Sequence, residues 1–196
     1  MREPLIDTCQ IRPVGLADAA ALCRCKRQLF SETEFLLQGL EDFDDQVSSE
    51  HELIGRFHHQ TNSVLHVAVV PGGEIVGICS IVGGHLWRTR HVGTLSVGVL
   101  KTCWRHGLGR RLMNRTIQWA GQNVLLEKVV LQVHASNLSA RALYRDLGFV
   151  EEGRLTGEAR LGLGLDDLIP MGRWLRSEQR LSAWGPPEDN VRGGPA

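Results

Sequence analysis

The sequence predicts an α/β (α+β) chain: a mixed, strongly twisted sheet of six or seven strands with helices on both faces. Three observations predict it. Apolar residues fall at helical spacing before residue 60 and in β-rich runs from 64 onward. A helical stretch at 107–122 separates two β-branched runs, 91–100 and 128–135. That is the pattern of a right-handed crossover between parallel neighbours. Finally, 196 residues at 42% hydrophobic content suffice for one large core.

The elements follow in order. CQIRPV (9–14) reads as a short first strand. LADAAALCRCKRQLF (16–30) has helical spacing of its apolar positions. The next segment, 31–46, reads as a loop with a short helix. Residues 47–60 read as a second helix, with Ser48 or Ser49 as cap and Glu52 completing a capping box. VLHVAVV (64–70), the turn PGGE and IVGICSIV (75–82) form a hairpin. HVGTLSVGVL (91–100) is the third strand of that run. Leu112, Met113, Thr116, Ile117 and Ala120 share one face of the helix at 107–122. KVVLQVHA (128–135) is a buried strand, and NLSARALYRDLG (137–148) a helix with Gly148 at its C-terminal cap. FVEEGR (149–154) starts a strand whose hairpin partner is LIPMGRWL (168–175), where Pro170 calls for an edge or a bulge. One domain is expected over 1–181. The Gly- and Pro-rich end, 182–196, is expected to be a disordered tail.

Composition excludes several classes. Lys+Arg and Asp+Glu both count 22, so the basic excess of a nucleic-acid binder is missing. No apolar run approaches the ~18 residues of a membrane helix. The opening MREPLIDTCQIRP carries an acid and no long apolar core, unlike a secretory signal. Five cysteines, an odd number in a chain of this size, argue against a disulfide framework and for a reducing, cytoplasmic setting. Cys23 and Cys25 form C-x-C without a second pair, which reads as packing rather than a metal site.

The chemistry concentrates in SVGVLKTCWRHGLGRRLM (96–113). A strand runs into a glycine-containing loop that opens a helix. Unpaired N–H groups and the helix dipole favour an anion there. Gly107 and Gly109 let a phosphate approach the backbone, and Arg105, Arg110 and Arg111 add charge. The segment is neither a P-loop nor a dinucleotide fingerprint, since GxxxxGK[ST] is missing and no third glycine follows. The chain is too short for a protein kinase. Downstream, Asn137 and Tyr144 are seven residues apart, two helical turns, and so share a face. That face lies at the carboxyl end of the 128–135 strand, where parallel sheets bind ligands.

Taken together, these residues resemble the GNAT superfamily of acetyl-CoA-dependent N-acetyltransferases. VGVLKTCWRHGLGRRLM is similar to the family's pyrophosphate loop Q/R-x-x-G-x-G/A. NLSARALY is similar to its N-x-x-A-x-x-x-Y helix, and LGFVEEGR to its G-F strand. Asp167 and Met171 fit the D-x-x-x-M ending of a branch acting on amino acids and small amines. The resemblance implies a GNAT-like acyl-CoA N-acyltransferase fold over about 64–175, with acetyl-CoA as cosubstrate and no metal. It implies that the backbone of Val97, Gly98 and Val99 meets the pantetheine arm. Arg105, His106, Gly107, Leu108, Gly109 and Arg110 would wrap the pyrophosphate, and Asn137 would contact the cofactor arm. Tyr144 would protonate the leaving thiolate, and the amine would attack directly. A backbone amide near Val97–Val99 would hold the oxyanion. The implied acceptor is the primary amine of a small molecule such as an amino acid. A protein N-terminus or lysine is the alternative, and a non-catalytic acyl-CoA-binding module is the rival. A homodimer is an expected possibility; nucleic-acid and membrane partners are not.

Two positions depart from the family pattern. Trp104 stands where Gln or Arg is usual, a position that mainly offers its backbone. Gln132 stands where some relatives that modify protein N-termini carry a glutamate base, and Gln cannot accept that proton. An alkyl ammonium of pKa ~10 still has to lose a proton. His134, His91, Glu32, Glu34 and relayed water all remain open as bases. Simpler readings stand beside these. Tyr144 on an amphipathic helix is ordinary core packing, Asn137 a helix cap, and the acidic run EDFDD (41–45) a solvated loop or an attraction for a cationic amine.

Overall fold

The computed structural model describes residues 8–176. Its sheet has eight strands. In spatial order they are β1 (Gln10–Pro13), β2 (Val64–Val69), β3 (Ile75–Gly83), β4 (Val92–Val99), β5 (Lys128–His134), β8 (Gly164–Trp174) and β6 (Val150–Glu151), with β7 (Leu155–Leu161) also paired to β8. The helices are α1 (Ala19–Glu32), α2 (Val47–His59), α3 (Leu108–Gln122) and α4 (Leu138–Asp146). Among the described residues, no helix is long and apolar enough to cross a membrane. The expected domain end at 181 and the tail at 182–196 lie outside the described residues.

Helices cover both faces, because β4 directs alternate residues to opposite sides. A Cβ on Gly98 would meet Leu29 of α1 and Leu36 of the following loop, whereas the Val99 side chain lies by Gly109 on the α3 side. The buried face of α3 is Leu112, Met113, Thr116, Ile117 and Ala120, as read from the spacing, together with Leu108. On the other side, α1 and α2 are joined by the Lys26 ammonium and the Glu50 carboxylate at 2.6 Å. All five cysteines are free thiols and buried.

The expected crossover is present. Val92, Gly93 and Thr94 pair in parallel with Lys128, Val129 and Val130. Beyond these three pairs the strands part, and the rest of each runs on without the other. A gap therefore opens between the carboxyl halves of β4 and β5.

Three expectations change in detail. The strand opposite β8 at 149–154 is only Val150–Glu151, and β7 supplies the hairpin instead. This extra edge strand raises the count to eight. Pro170 lies within β8 rather than at the sheet's edge, yet its chemistry is respected. Its carbonyl faces outward and accepts the Glu152 N–H at 2.8 Å. The missing N–H faces the same way, at the seam where the outer partner of β8 changes from β6 to β7. Lastly, α2 starts at Val47 with Gln46 as its N-cap and no side-chain cap bond. Ser48 and Ser49 thus lie inside the first turn, so the expected capping box is not formed, and Ser49 donates to Asp44 Oδ2 at 2.5 Å.

Candidate functional site

The gap has a polar backbone edge on its β4 side. The Leu100 N–H bonds to Val76 O, toward β3. The β3–β4 register runs unbroken from Gly83 to Gly77, so Gly98 and Ser96 also turn their backbone to β3. Strand alternation then turns Val97 and Val99 to the gap. Of their groups, Val99 O is engaged by the Trp104 indole N–H at 2.7 Å. Gly98 thus contributes its missing side chain rather than its backbone: a Cβ would lie 3.1 Å from Leu29 Cδ1.

The loop after β4 is shaped by two left-handed residues, Arg105 (φ 67) and Gly107 (φ 75). Such a conformation costs a non-glycine residue roughly 1–2 kcal/mol, so its presence at Arg105 marks a constrained loop. Glu32 anchors the loop's start: its Oε2 accepts the Lys101 N–H at 2.6 Å. Gly107 is the N-cap of α3, and no atom lies within 4 Å of where its Cβ would be. The N–H groups of the first turn have no intrahelical acceptor, an arrangement able to hold a diphosphate. The arginines divide. Arg111 reaches Cys9 O at 3.1 Å, and Arg110 pairs with Asp146 at 2.8 Å. Arg105 and His106 are exposed at the loop.

On the same side of the sheet, α4 presents Asn137 and Tyr144. Asn137 Oδ1 accepts the Ala140 N–H at 3.1 Å, so it is the helix cap, with its amide nitrogen left over. The Tyr144 ring lies 6.2 Å from that of Phe149. Burial pushes the Tyr144 phenol up to about 12, with the nearby Cys79 adding to it, so the phenol stays protonated and available as a donor.

His134 lies on the opposite face. It closes β5, and its ring meets Phe35 edge-on at 5.8 Å. Phe35 and Leu36 belong to the loop that crosses from α1 over the gap. His134 is 1% exposed, and its Nδ1 is 3.1 Å from Asp166 Oδ2. Asp166 had no signal in the sequence. It also takes the Ser136 hydroxyl at 2.6 Å and the Asp167 N–H at 2.9 Å. The Ser136 hydroxyl, ahead of these other donors, holds the Asp166 carboxyl below the usual carboxylate value.

The other candidate bases have different surroundings. His91 sits at the closed end, where its carbonyl accepts the Glu127 and Lys128 N–H groups. Glu32 spends one oxygen on Lys101 and the other on Gln28 at 2.8 Å. Glu34 lies by Gly162 at the β7–β8 turn. Gln132 is exposed on the same face as His134, two residues along the strand. The acidic run is largely used locally: Asp42 holds the Gly39 N–H, Asp44 holds Ser49, and Asp45 holds Arg27 and Cys23.

Known proteins share this architecture. The model of the acetyltransferase (GNAT) family matches residues 27–149. The chain belongs to the GNAT family. It is an acetyl-CoA-dependent N-acetyltransferase with acetyl-CoA as cosubstrate. No curated protein matches it. A GNAT-family acetyltransferase from Streptococcus pneumoniae is 28% identical, with a TM-score of 0.81 over 85% of this chain and 98% of that one. YncA from Salmonella typhimurium, solved with its cofactor acetyl-CoA, is 20% identical with a TM-score of 0.76 over 86% and 95%. A ribosomal-protein-alanine N-acetyltransferase from Brucella melitensis is 24% identical with a TM-score of 0.74 over 84% and 99%. The latter two likenesses concern the fold.

Proposed function

We propose that this GNAT enzyme acetylates the primary amine of a small molecule, an amino acid being the first candidate. The observation that carries the mechanism is the division of two proton-handling groups between the faces of one gap. His134 lies on the α1 side, while Tyr144 lies on the α3–α4 side. An amine arriving by His134 and a thiol leaving by Tyr144 are then on opposite sides of the reacting carbonyl.

Bound acetyl-CoA supplies the activated acetyl thioester. The open N–H groups at the start of α3, with Arg105 and Arg110, hold its diphosphate. The Val97 N–H and C=O and the Val99 N–H pair with the pantetheine as a further strand would. A backbone N–H of this edge also receives the developing oxyanion. His134 takes the proton that the attacking amine gives up. Tyr144 gives a proton to the leaving sulfur and regains one from solvent.

A peptide N-terminus is the second reading. It draws support from the exposed Thr94, Ser96 and Gln132, which leave the acceptor side open along the strands, and from the likeness to the Brucella enzyme. The test is thiol release from acetyl-CoA over a panel of amino acids, polyamines and short peptides. Turnover with free amino acids supports the first reading. Turnover confined to peptides selects the second. Turnover with neither, alongside tight acetyl-CoA binding in a thermal shift, removes both.

A further inference from the structure

We propose that Asp166 is a positioning residue: it holds the imidazole of His134 with its proton on Nδ1, leaving the Nε2 lone pair at the acceptor side of the gap. The inference rests on the reading of His134 as the base. Three features carry it. First, an ionised carboxylate only accepts hydrogen bonds, so the 3.1 Å contact fixes Nδ1 as the donor. Second, the carboxylate is itself immobile. Oδ2 takes the Ser136 hydroxyl at 2.6 Å and its N–H at 3.3 Å, and Oδ1 takes the Asp167 N–H at 2.9 Å. Third, Nε2 has no protein partner among the described residues, yet it is not sealed. The one sealed, unpartnered polar side-chain atom among them is Glu50 Oε2. The slight exposure left to His134 therefore includes its free nitrogen.

These features fit a base rather than a packed core histidine. A core histidine satisfies both nitrogens or excludes water from the spare one. Here one nitrogen is anchored and the other is left to the cleft, with Phe35 limiting rotation of the ring. In the reaction, Nε2 accepts the amine proton and the ring becomes a cation. The adjacent Asp166 carboxylate stabilises that cation without itself taking the proton. The proton then leaves Nε2 to solvent, which restores the neutral ring.

The experiment combines kinetics with the ring's own signal. Long-range proton–nitrogen NMR of 15N-labelled enzyme reads the tautomer of each neutral histidine. The His134 signal is identified by its loss in His134→Gln. The expected result is an Nδ1–H ring in the wild type and a shift toward Nε2–H in Asp166→Asn. Asp166→Asn should lower kcat by on the order of 10²-fold with the KM for acetyl-CoA within about twofold. Ser136→Ala, which frees the carboxylate without removing its contact to Nδ1, should cost only about a fewfold in kcat. A wild-type ring protonated on Nε2 overturns the proposal, as does an unchanged tautomer in Asp166→Asn. So does a loss of kcat that tracks a fall in Tm, or a His134→Gln variant with wild-type kcat. If no acceptor turns over in the wild type, the acceptor reading fails, and the tautomer alone decides the positioning.

Discussion

Arg110 and Asp146 meet at 2.8 Å, joining the first turn of α3 to the last residue of α4. Both side chains are exposed, so the pair adds little to stability. Its importance lies in competition. The guanidinium that pairs with Asp146 is also one expected at the diphosphate. Asp146→Asn should release Arg110 and lower the KM for acetyl-CoA by about twofold, while Arg110→Ala should raise it by roughly five- to tenfold. Initial-rate kinetics checks both. A rise in KM for Asp146→Asn would show that the pair organises the site rather than competing with the ligand.

Tyr144 is held by the end of its own helix. The Phe149 N–H bonds to Tyr144 O at 3.0 Å, and the Gly148 N–H to Arg145 O at 2.9 Å. This is a Schellman closure, with Gly148 at φ 81 and the two rings in contact across it. Tyr144→Phe keeps the ring and this closure and removes only the phenolic proton. It should lower kcat by about 10²-fold with the KM for acetyl-CoA nearly unchanged. Because burial pushes the phenol up to about 12, the wild-type rate should show no loss from phenol ionisation through pH 9. Equal losses in kcat and acetyl-CoA affinity would assign Tyr144 to binding instead.

How legible the site was in the sequence depended on how local its causes are. The loop at 104–110, the crossover and the Asn137–Tyr144 helix are encoded over a few residues each by glycines, β-branched runs and helical spacing. β7 was not legible. Its LTGEARL is mostly exposed, is broken by Gly157 at φ 66, and lacks a buried alternation. Without β7, the register that sets Leu168 opposite His134 and Asp166 one step from its ring had no anchor. The choice among bases was open for the same reason. His91 immediately precedes β4 and His134 ends β5, and only the three-pair contact of β4 with β5 shows which strand end is the open one. Ser48 and Ser49 misled because the helix starts earlier, at Val47 with Gln46 as N-cap, which leaves both serines inside its first turn.

Gly107 separates backbone from side-chain demands. A Cβ there would touch nothing, so Gly107→Ala meets only the cost of φ 75. That cost is roughly 1–2 kcal/mol, in stability or in a relaxed loop. Relaxation turns the first N–H groups of α3 away from the diphosphate. Acetyl-CoA binding by calorimetry should weaken by about tenfold while Tm falls only slightly. Unchanged affinity would mean that the diphosphate is held by side chains alone.

The last prediction concerns a histidine outside the reaction. His66, on β2, is 1% exposed, with its Nδ1 3.1 Å from Thr116 Oγ1. Thr116 has one proton and gives it to Leu112 O at 2.9 Å, so the His66 ring is the donor in that contact. Burial, with Arg115 adding repulsion, lowers the ring from 6.5 to about 4. Between these values the unfolded chain binds a proton that the folded chain refuses. Stability is therefore kept above pH 6.5, declines as the pH falls toward 4, and gains no further loss from this ring below that. The full effect is of order 3 kcal/mol, and less where water relaxes the site. Urea midpoints for the wild type and His66→Gln at pH 7.5, 5.5 and 4.5 isolate it, because carboxylates titrate equally in both. The wild type should lose more stability than the variant across that range. Parallel curves would mean that the ring finds room for its charge in the fold.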